Sequence, residues 1–168
     1  MEHFDVIIVG AGISGVSAAV HLGRECPGQS YCVLERRESV GGTWDLFKYP
    51  GIRSDSDMHT LGFNFKPWKE SKSIADGPAI LKYVKETTQE YGVDEHIKFS
   101  HKLTNAQWSS HDAKWTLDVD HAGAQVQISC NFLFMCSGYY SHDEVHDPRI
   151  DGVENFAGEV VNPQFWPE

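Results

Sequence analysis

The residues with the clearest chemical meaning stand near the start of the chain, in the stretch Gly10-Ala11-Gly12-Ile13-Ser14-Gly15. This G-x-G-x-x-G pattern follows a short apolar run at residues 4–9 and opens a segment with helical spacing, the context in which it binds a dinucleotide. The first glycine permits a tight turn, the second lets the backbone approach a pyrophosphate, and the third lets helix and strand pack closely. The helix N-terminus, with the N–H groups of Ile13 and Ser14, would supply a partial positive charge for the phosphates.

An acidic residue stands where the ribose of such a dinucleotide is expected. Glu35 lies 20 residues after Gly15, at the end of a second apolar run. A carboxylate there accepts hydrogen bonds from ribose hydroxyls and repels a 2′-phosphate, which disfavours NADP. Arg36 could reach the adenosine, although a solvated Arg36-Arg37 pair is the commoner arrangement. The alternative is a tight strand–helix turn with a surface glutamate, but turn, helix and acid all in place favour the dinucleotide site.

A long irregular stretch runs from residue 36 to about residue 75 and begins with Gly41-Gly42-Thr43-Trp44. Paired glycines let the backbone lie against a flat or charged ligand, and the indole of Trp44 could cover a ring. An ordinary Gly-rich turn is equally compatible with these residues. The many aromatic residues argue against disorder, so we expect a folded segment that wraps a ligand, with one short helix near residues 55–61. The aromatics at residues 63–68 suit the core better than a substrate pocket.

The remaining pattern indicates the elements that must position these motifs. The first 35 residues predict a β–α–β unit with its helix at residues 14–25. A second helix is predicted at residues 78–91, with Asp76 as cap and Gly92 at its end. Strands are then predicted at residues 97–101, 106–109, 114–120 and 125–129, followed by a buried run at 132–135. The fold class is therefore α/β and Rossmann-like, a parallel sheet with an inserted antiparallel β-meander, and residues 139–168 are expected to form loops.

Composition excludes several function classes. The 168 residues suit one compact domain, and the net charge of −10 lacks the basic footprint of a nucleic-acid-binding protein. None of the four cysteines has zinc-site spacing, and reduced buried thiols fit a reducing compartment. No apolar run suits a membrane span and no signal peptide is evident, so we expect a cytoplasmic protein, for which peripheral membrane association stays compatible.

One segment contains the residue types of a metal site: His142 and His146 stand four residues apart, among the acidic residues Asp143, Glu144 and Asp147. These side chains would converge on a metal only if the segment were helical. Pro148 and the surrounding polarity favour a solvated loop. We therefore expect no metal.

The strings GAGISG, GGTWDLFKYPGIRSDSDMHT and FLFMCSGYY, with Glu35 between the first two, resemble the flavin-containing and Baeyer–Villiger monooxygenases over nearly the whole chain. The resemblance is strongest to the Baeyer–Villiger subgroup that activates thioamide prodrugs such as ethionamide. It implies that the first Rossmann unit binds the ADP half of FAD and that two segments lie along the flavin, residues 41–44 and 49–57. Within them it points to Gly42, Thr43, Trp44, Tyr49 and Arg53, the last of which suits a structural salt bridge equally well. Asp55 matches the aspartate beside the reactive face of the isoalloxazine, the one catalytic residue that the resemblance assigns, and Cys136, Ser137 and Gly138 match a second FAD-contacting turn.

In that family NADPH reduces FAD, and a C4a-peroxyflavin formed with O2 then oxygenates a ketone, thioether, thioamide or amine. The resemblance thus implies FAD as cofactor, NADPH as co-substrate bound mainly outside this chain, a domain at residues 1–140 and a linker toward an NADPH domain at residues 141–168. The fold would then be truncated, and the isolated chain would be inactive. Two alternatives stay open: a non-catalytic dinucleotide-binding remnant, and an FAD- or NAD-linked reductase, although the redox C-x-x-C or C-x4-C of a disulfide reductase is missing. No sequence feature indicates the oligomeric state.

The family fingerprint F-x-G-x-x-x-H-x-x-x-W-P is matched near the end of the chain by Phe156, Gly158, Trp166 and Pro167. Asn162 stands where the family usually has histidine. Asparagine keeps hydrogen-bonding capacity but cannot carry a proton. We therefore expect this departure to affect the linker's part in the catalytic cycle and not the binding of FAD.

Overall fold

The computed structural model of the protein describes residues 1–146 and 148–167. Asp147, one of the acidic residues of the possible metal-binding segment, and Glu168 lie outside the described residues. Six strands form one sheet: β1 (Glu2–Val9), β2 (Tyr31–Leu34), β3 (Ile97–Lys98), β4 (His101–Ser109), β5 (Lys114–His121) and β6 (Ala124–Met135). Their order in the sheet is β3-β2-β1-β6-β5-β4. The predicted α/β, Rossmann-like class is confirmed, with helices packed on a mixed sheet.

The parallel half of the sheet consists of β3, β2, β1 and β6. In the register of these strands Val9 lies beside Leu34 on one side and beside Met135 on the other. The carboxyl ends of β1, β2 and β6 therefore meet at the same edge, directly before the Gly-rich loop, Glu35 and Cys136. In open α/β sheets this edge is where ligands bind.

The antiparallel half is the predicted meander, and β6 joins it to the parallel half. The first part of β6 pairs with β5 and the second part pairs with β1. The prediction of two separate strands at residues 125–129 and 132–135 is therefore wrong. Asn131, between the two predicted strands, lies within β6, and its side-chain amide donates to the Asp5 carboxylate of β1 at 3.1 Å. The predicted strand at 97–101 is divided instead, because Ser100 adopts a left-handed φ of 55°.

Four α-helices accompany the sheet: α1 (Ile13–Glu25), α2 (Thr43–Leu46), α3 (Met58–Leu61) and α4 (Gly77–Glu90). The Asp76 carboxylate caps α4 by accepting from the Ala79 N–H at 3.0 Å, and Gly92 follows the helix with a φ of 65°, as the sequence predicts. Asp57 caps α3 in the same way, through the N–H groups of His59 and Thr60. Helix α2 was not predicted. Three 3-10 turns cover Val93–His96, Val153–Asn155 and Pro163–Phe165.

Two apolar clusters form the core, one on each face of the sheet. Ile8 and Val33 point to the face covered by α1 and α4, whereas Ile7 and Leu34 point to the face that continues into the meander. This alternation is the period of two expected of strands. The aromatic segment contributes Phe63 and Trp68 to the first cluster, which confirms their assignment to the core. Among residues 1–146 and 148–167, no helix is long and apolar enough to cross a membrane.

Candidate dinucleotide-binding site

A cleft of about 710 Å³ opens at the carboxyl ends of β1, β2 and β6. Five segments of the chain form its walls: the Gly-rich loop, the residues after β2, the turn that leads into α2, the start of β4 and the chain after β6. Most of the predicted cofactor-binding residues line it, namely Gly10, Gly12, Ile13, Ser14, Glu35, Arg36, Gly42, Thr43, Trp44, Cys136, Ser137 and Gly138. The structure therefore brings together residues that are up to 128 positions apart in the sequence (10 to 138).

Two of the three motif glycines are required by the protein itself. Gly10 has a φ of 103°, and a Cβ added there would lie 2.5 Å from the carbonyl oxygen of Cys136. A Cβ on Gly15 would lie 1.8 Å from the carbonyl oxygen of Gly10, because helix and strand touch at that point. The predicted roles of these glycines in the turn and in close packing are confirmed.

Gly12 differs from both. Its φ of −78° suits any residue, and an added Cβ would meet only the backbone of Gly42, whose Cα lies at an ordinary distance of 3.6 Å. The fold alone therefore does not require glycine at this position. Gly12 lines the cleft, so a side chain there would take up space beside the helix N-terminus. This is the cradle that the backbone would offer to a pyrophosphate.

The N-terminus of α1 points its unpaired N–H groups toward the same space. Gly12 occupies the N-cap position, and the first bond of the helix joins the Val16 N–H to the Gly12 carbonyl at 3.0 Å. The N–H groups of Ile13 and Ser14 precede that bond and have no partner within the helix. Because α1 has 13 residues, its N-terminal partial charge favours an anion at this position.

Glu35 has a structural role that the sequence did not reveal. Its side chain is 4% exposed, so the alternative of a surface glutamate is wrong. One carboxylate oxygen accepts from the Ala11 N–H at 2.8 Å and the other from the Arg37 N–H at 2.8 Å. The carboxylate thus ties the end of β2 to the Gly-rich loop. Each oxygen keeps further acceptor capacity, and its contact with a ribose stays a prediction.

The turn that leads into α2 is attached to the Gly-rich loop. The Gly41 N–H donates to the Ala11 carbonyl at 3.0 Å, and a Cβ on Gly42 would lie 2.9 Å from the Cα of Gly12. Both glycines have a positive φ, 128° and 54°. The close approach and the backbone angles explain the glycine pair, and they place Thr43 and Trp44 at the cleft.

An ionic cluster of Arg37, Ser39 and Asp45 holds this turn in place. The Asp45 carboxylate accepts from the Arg37 guanidinium at 2.5 Å and from the Ser39 hydroxyl at 2.5 Å. Burial alone would raise the pKa of Asp45, but the hydrogen bonds from Ser39 and Arg37, with the Arg37 charge, hold it below its ordinary value. Asp45 therefore stays ionised at neutral pH and anchors α2.

The opposite end of the cleft carries charged residues that the sequence did not place there. The His101 N–H donates to the Glu35 carbonyl at 2.9 Å, which brings the start of β4, with Lys102, to the cleft. Asp143 contacts both Arg36 and Lys102, and hydrogen bonds from these two cations hold the pKa of its carboxyl well below the usual range. Only the pairing of strands brings these residues together, and no local motif indicates it.

His142 lies beside this charged group. Burial lowers the pKa of its imidazole, and the positive charges of Arg36 and Arg37 lower it further. Among residues 1–146 and 148–167, its buried Nδ1 has no hydrogen-bond partner. Tyr139, Tyr140 and Ser141 also line the cleft. The chain after β6 therefore forms a wall of the cleft.

The other predicted residues lie apart from the lining. Tyr49 packs edge-on against Phe47, and the exposed Arg53 forms an isolated β-bridge with Asp76. Asp55 is exposed and lies in the segment between Arg53 and α3. Their roles beside a flavin stay predictions. Within the described residues, no group of three or more His, Cys, Asp or Glu side chains converges to hold a metal.

Comparisons with known proteins agree with this architecture. Residues 8–76 match the family model of the NAD(P)-binding Rossmann-like domain. Over 167 residues the chain is 58% identical to the FAD-containing monooxygenase EthA of Mycobacterium tuberculosis, covering 99% of this chain and 34% of that protein. Among solved structures it superposes on the oxidised steroid monooxygenase bound to NADP (30% identity, TM-score 0.80) and on the OTEMO complex with FAD and NADP (29% identity, TM-score 0.80). Each superposition covers 98% of this chain and 31% of the solved chain.

The similarity thus extends along nearly the whole of this chain, and the resemblance stated above is confirmed. The chain spans about a third of the length of the curated relatives it matches. The activities of these relatives therefore belong to proteins about three times as long as this chain.

Proposed function

This chain matches about a third of the length of FAD-containing monooxygenases. From this premise we propose that it forms the FAD-binding part of a flavoprotein monooxygenase that uses NADPH and O2. The observation that carries the proposal is the cleft around Gly12. There an open space, a helix N-terminus and a ribose-side carboxylate lie together at the carboxyl edge of the parallel strands. This is the arrangement that a dinucleotide with an unphosphorylated ribose requires.

The residues of the cleft suit the successive parts of FAD. The N–H groups at the start of α1 would hold the pyrophosphate, and Glu35 would accept from the ribose hydroxyls. Gly42 and Trp44 would lie along the flavin, together with the backbone of Cys136, Ser137 and Gly138. The glycines keep side chains out of the space between these walls.

Bound FAD would supply the redox chemistry and the reaction with O2, and the protein would position it and control its surroundings. Asp55, Tyr49 and Arg53 belong to the proposal as residues beside the isoalloxazine, with Asp55 setting the charge near its reactive face. The substrate would be a small molecule, a ketone, thioether, thioamide or amine. NADPH would bind mainly outside these residues, since the α1 site suits FAD. Residues 1–140 would form the FAD domain and residues 141–168 the linker.

The experiment is a titration of the purified chain with FAD, in which isothermal calorimetry and flavin fluorescence measure binding. We expect one FAD per chain and weaker binding of NADP⁺. The matched control is Gly12→Val, which should fold and lose FAD. A folded chain that binds neither FAD nor NADP⁺ would contradict the proposal, and tighter binding of NADP⁺ than of FAD would contradict the assignment of the cleft.

A further inference from the structure

Two cations flank Glu35 at the ribose end of the cleft, and one carboxylate engages both of them. Arg36 and Lys102 line the cleft. Asp143 lies 2.5 Å and 3.2 Å from the two terminal nitrogens of Arg36, in a bidentate pair, and 3.0 Å from the Nζ of Lys102. All three side chains are partly open to solvent, so a ligand in the cleft could reach them.

Whether Arg36 and Lys102 are available to an anionic ligand depends on Asp143. An arginine at the end of the second strand is the residue that accommodates an adenosine 2′-phosphate in NADP-binding folds, and a neighbouring lysine adds a second positive charge. A phosphate would form the same charge-assisted bonds to Arg36 that Asp143 now forms. Asp143 and a 2′-phosphate would therefore compete for one pair of cations.

Glu35 alone is a weak barrier to a 2′-phosphate in this protein. Both of its oxygens already accept from backbone N–H groups, at Ala11 and Arg37, and these dipoles offset part of its negative charge. A second carboxylate that occupies the cations would complete the discrimination.

We propose that Asp143 is a specificity-determining residue of the cleft: by pairing with Arg36 and Lys102 it excludes adenosine 2′-phosphates and restricts the site to ligands with a free 2′-hydroxyl, such as FAD. This inference rests on the proposed function, which places the adenosine ribose beside Glu35. The carboxyl of Asp143 keeps its charge well into the acid range, because its pKa lies far below the usual value.

Asp143 is held in place by more than its ion pairs. The N–H groups of Asp143 and Glu144 donate to the Ser141 hydroxyl at 3.4 Å and 3.1 Å, and the Gln164 amide donates to the Ser141 carbonyl at 2.8 Å. The turn therefore does not depend on the carboxylate. Replacing Asp143 by asparagine should free the cations and leave the turn in position.

The test compares ADP with adenosine 2′,5′-bisphosphate as calorimetric ligands of the full chain. In Asp143→Asn the affinity for the 2′-phosphorylated ligand should rise about tenfold, the effect of one charge-assisted hydrogen bond, whereas the affinity for ADP should rise less than about twofold. Asp151→Asn is the matched control, since it removes one exposed carboxylate from the same segment, and it should change neither affinity. The double variant Arg36→Gln/Asp143→Asn should lose the gain.

Three results would overturn the inference: no gain for the 2′-phosphorylated ligand in Asp143→Asn, an equal gain for ADP, or an equal gain in Asp151→Asn. FAD titration of the parent chain separates this outcome from the proposed function. A chain that binds FAD but shows no gain retains the proposed function without the role of Asp143. A gain without FAD binding retains the role of Asp143 and removes FAD as the ligand.

Discussion

The three motif glycines of the Gly-rich loop are required for different reasons. At Gly10 and Gly15 the protein's own backbone excludes a side chain, whereas at Gly12 a Cβ would make only an ordinary contact with the backbone of Gly42 and would border the open cleft. A motif of three glycines thus combines two residues that build the fold with one that leaves room for a ligand. This difference can be measured, because it separates loss of folding from loss of binding.

We expect Gly12→Val to keep the fold and to lower FAD affinity by at least about tenfold, since the side chain would enter the space of the pyrophosphate. Circular dichroism would follow the fold and calorimetry the affinity. Gly15→Val is the contrasting variant, and it should lower the free energy of unfolding by about 3 kcal/mol because of overpacking against the Gly10 carbonyl. Unchanged FAD affinity in a folded Gly12→Val chain would show that the phosphates lie elsewhere.

Asp55 is the residue whose proposed role depends most on the resemblance. In a longer monooxygenase that contains these residues, Asp55→Ala should retain FAD, because the side chain is exposed and lies outside the lining of the cleft. The loss of charge near the reactive face should divert reducing equivalents to hydrogen peroxide. The measurement is the ratio of product to NADPH consumed, with Asp55→Asn to separate charge from size. Coupling equal to that of the parent enzyme would remove Asp55 from the mechanism.

Asn162 shows how a departure from the family fingerprint fits its local structure. Its side-chain oxygen accepts from the Gln164 N–H at 3.0 Å and caps the 3-10 turn Pro163–Phe165. Asparagine is among the best residues for this task. The position therefore has a structural use that does not require a titratable ring.

At the scale of elements, the short helix α2 depends on a charge pair. We expect Asp45→Asn to lower the free energy of unfolding by about 1–3 kcal/mol at pH 7, the range for a hydrogen bond to a charged group, and to weaken FAD binding because Trp44 loses its anchor. Chemical denaturation and FAD titration would measure the two effects.

The pH dependence of this effect follows from the lowered pKa of Asp45. A carboxyl with a depressed pKa contributes stability that is complete above its unfolded value, about 3.9, and is lost as the pH falls through the folded value. The difference between the parent chain and Asp45→Asn should thus be constant from about pH 7 to pH 5 and should shrink below about pH 4. A difference that grows on acidification would contradict the assigned ion pair.

The sequence predicted those elements whose signals are local. The Gly-rich turn, α1, α4 with its Asp76 cap and Gly92, and the buried strands β1 and β2 follow from periodicity and capping chemistry. The prediction of a buried run at residues 132–135 is wrong, because Phe132, Phe134 and Met135 are exposed. Helix α2 was missed because it is a single turn, anchored by Arg37 and Ser39 through Asp45 and not by helix propensity. The charged end of the cleft was missed because Lys102 and Asp143 are 41 residues apart, and only the sheet brings them together.

At the scale of the whole molecule, the described residues provide one helix of more than one turn that follows a glycine-rich loop, since α2, after Gly41-Gly42, is a single turn. Two long helices, α1 and α4, lie in the described part of the chain, and the Asp76 side chain caps the start of α4. The described part of the chain therefore offers one site of this kind, at α1.

One face of the sheet is open beside this site. Phe134 of β6 lies next to Ile8 in the register and shares the face that α1 covers elsewhere, yet it is 45% exposed, and Phe132 is 59% exposed. Large apolar side chains in such a position mark a contact surface. The relatives continue for about twice the length that this chain spans, so their remaining two thirds are available to cover such a surface.

The last prediction is that residues 1–168 alone do not catalyse NADPH-dependent oxygenation. The α1 site would hold FAD, and among the described residues no second helix of more than one turn follows a glycine-rich loop to hold the phosphates of NADPH. The cleft walls that follow β6 are exposed at Ser137, Gly138 and Tyr139, so water would reach a bound flavin and favour peroxide release over oxygen transfer.

The assay supplies the purified chain with FAD, NADPH and either a ketone or a thioether, and mass spectrometry measures ester or sulfoxide against a protein-free control with the same flavin. We expect product at the level of that control, while hydrogen peroxide accounts for any NADPH consumed. A longer relative that contains the matching third should give product under the same conditions and so validates the assay. Turnover by the 168 residues above the control would mean that one dinucleotide site serves both FAD and NADPH, because the described residues provide no other helix of more than one turn that follows a glycine-rich loop.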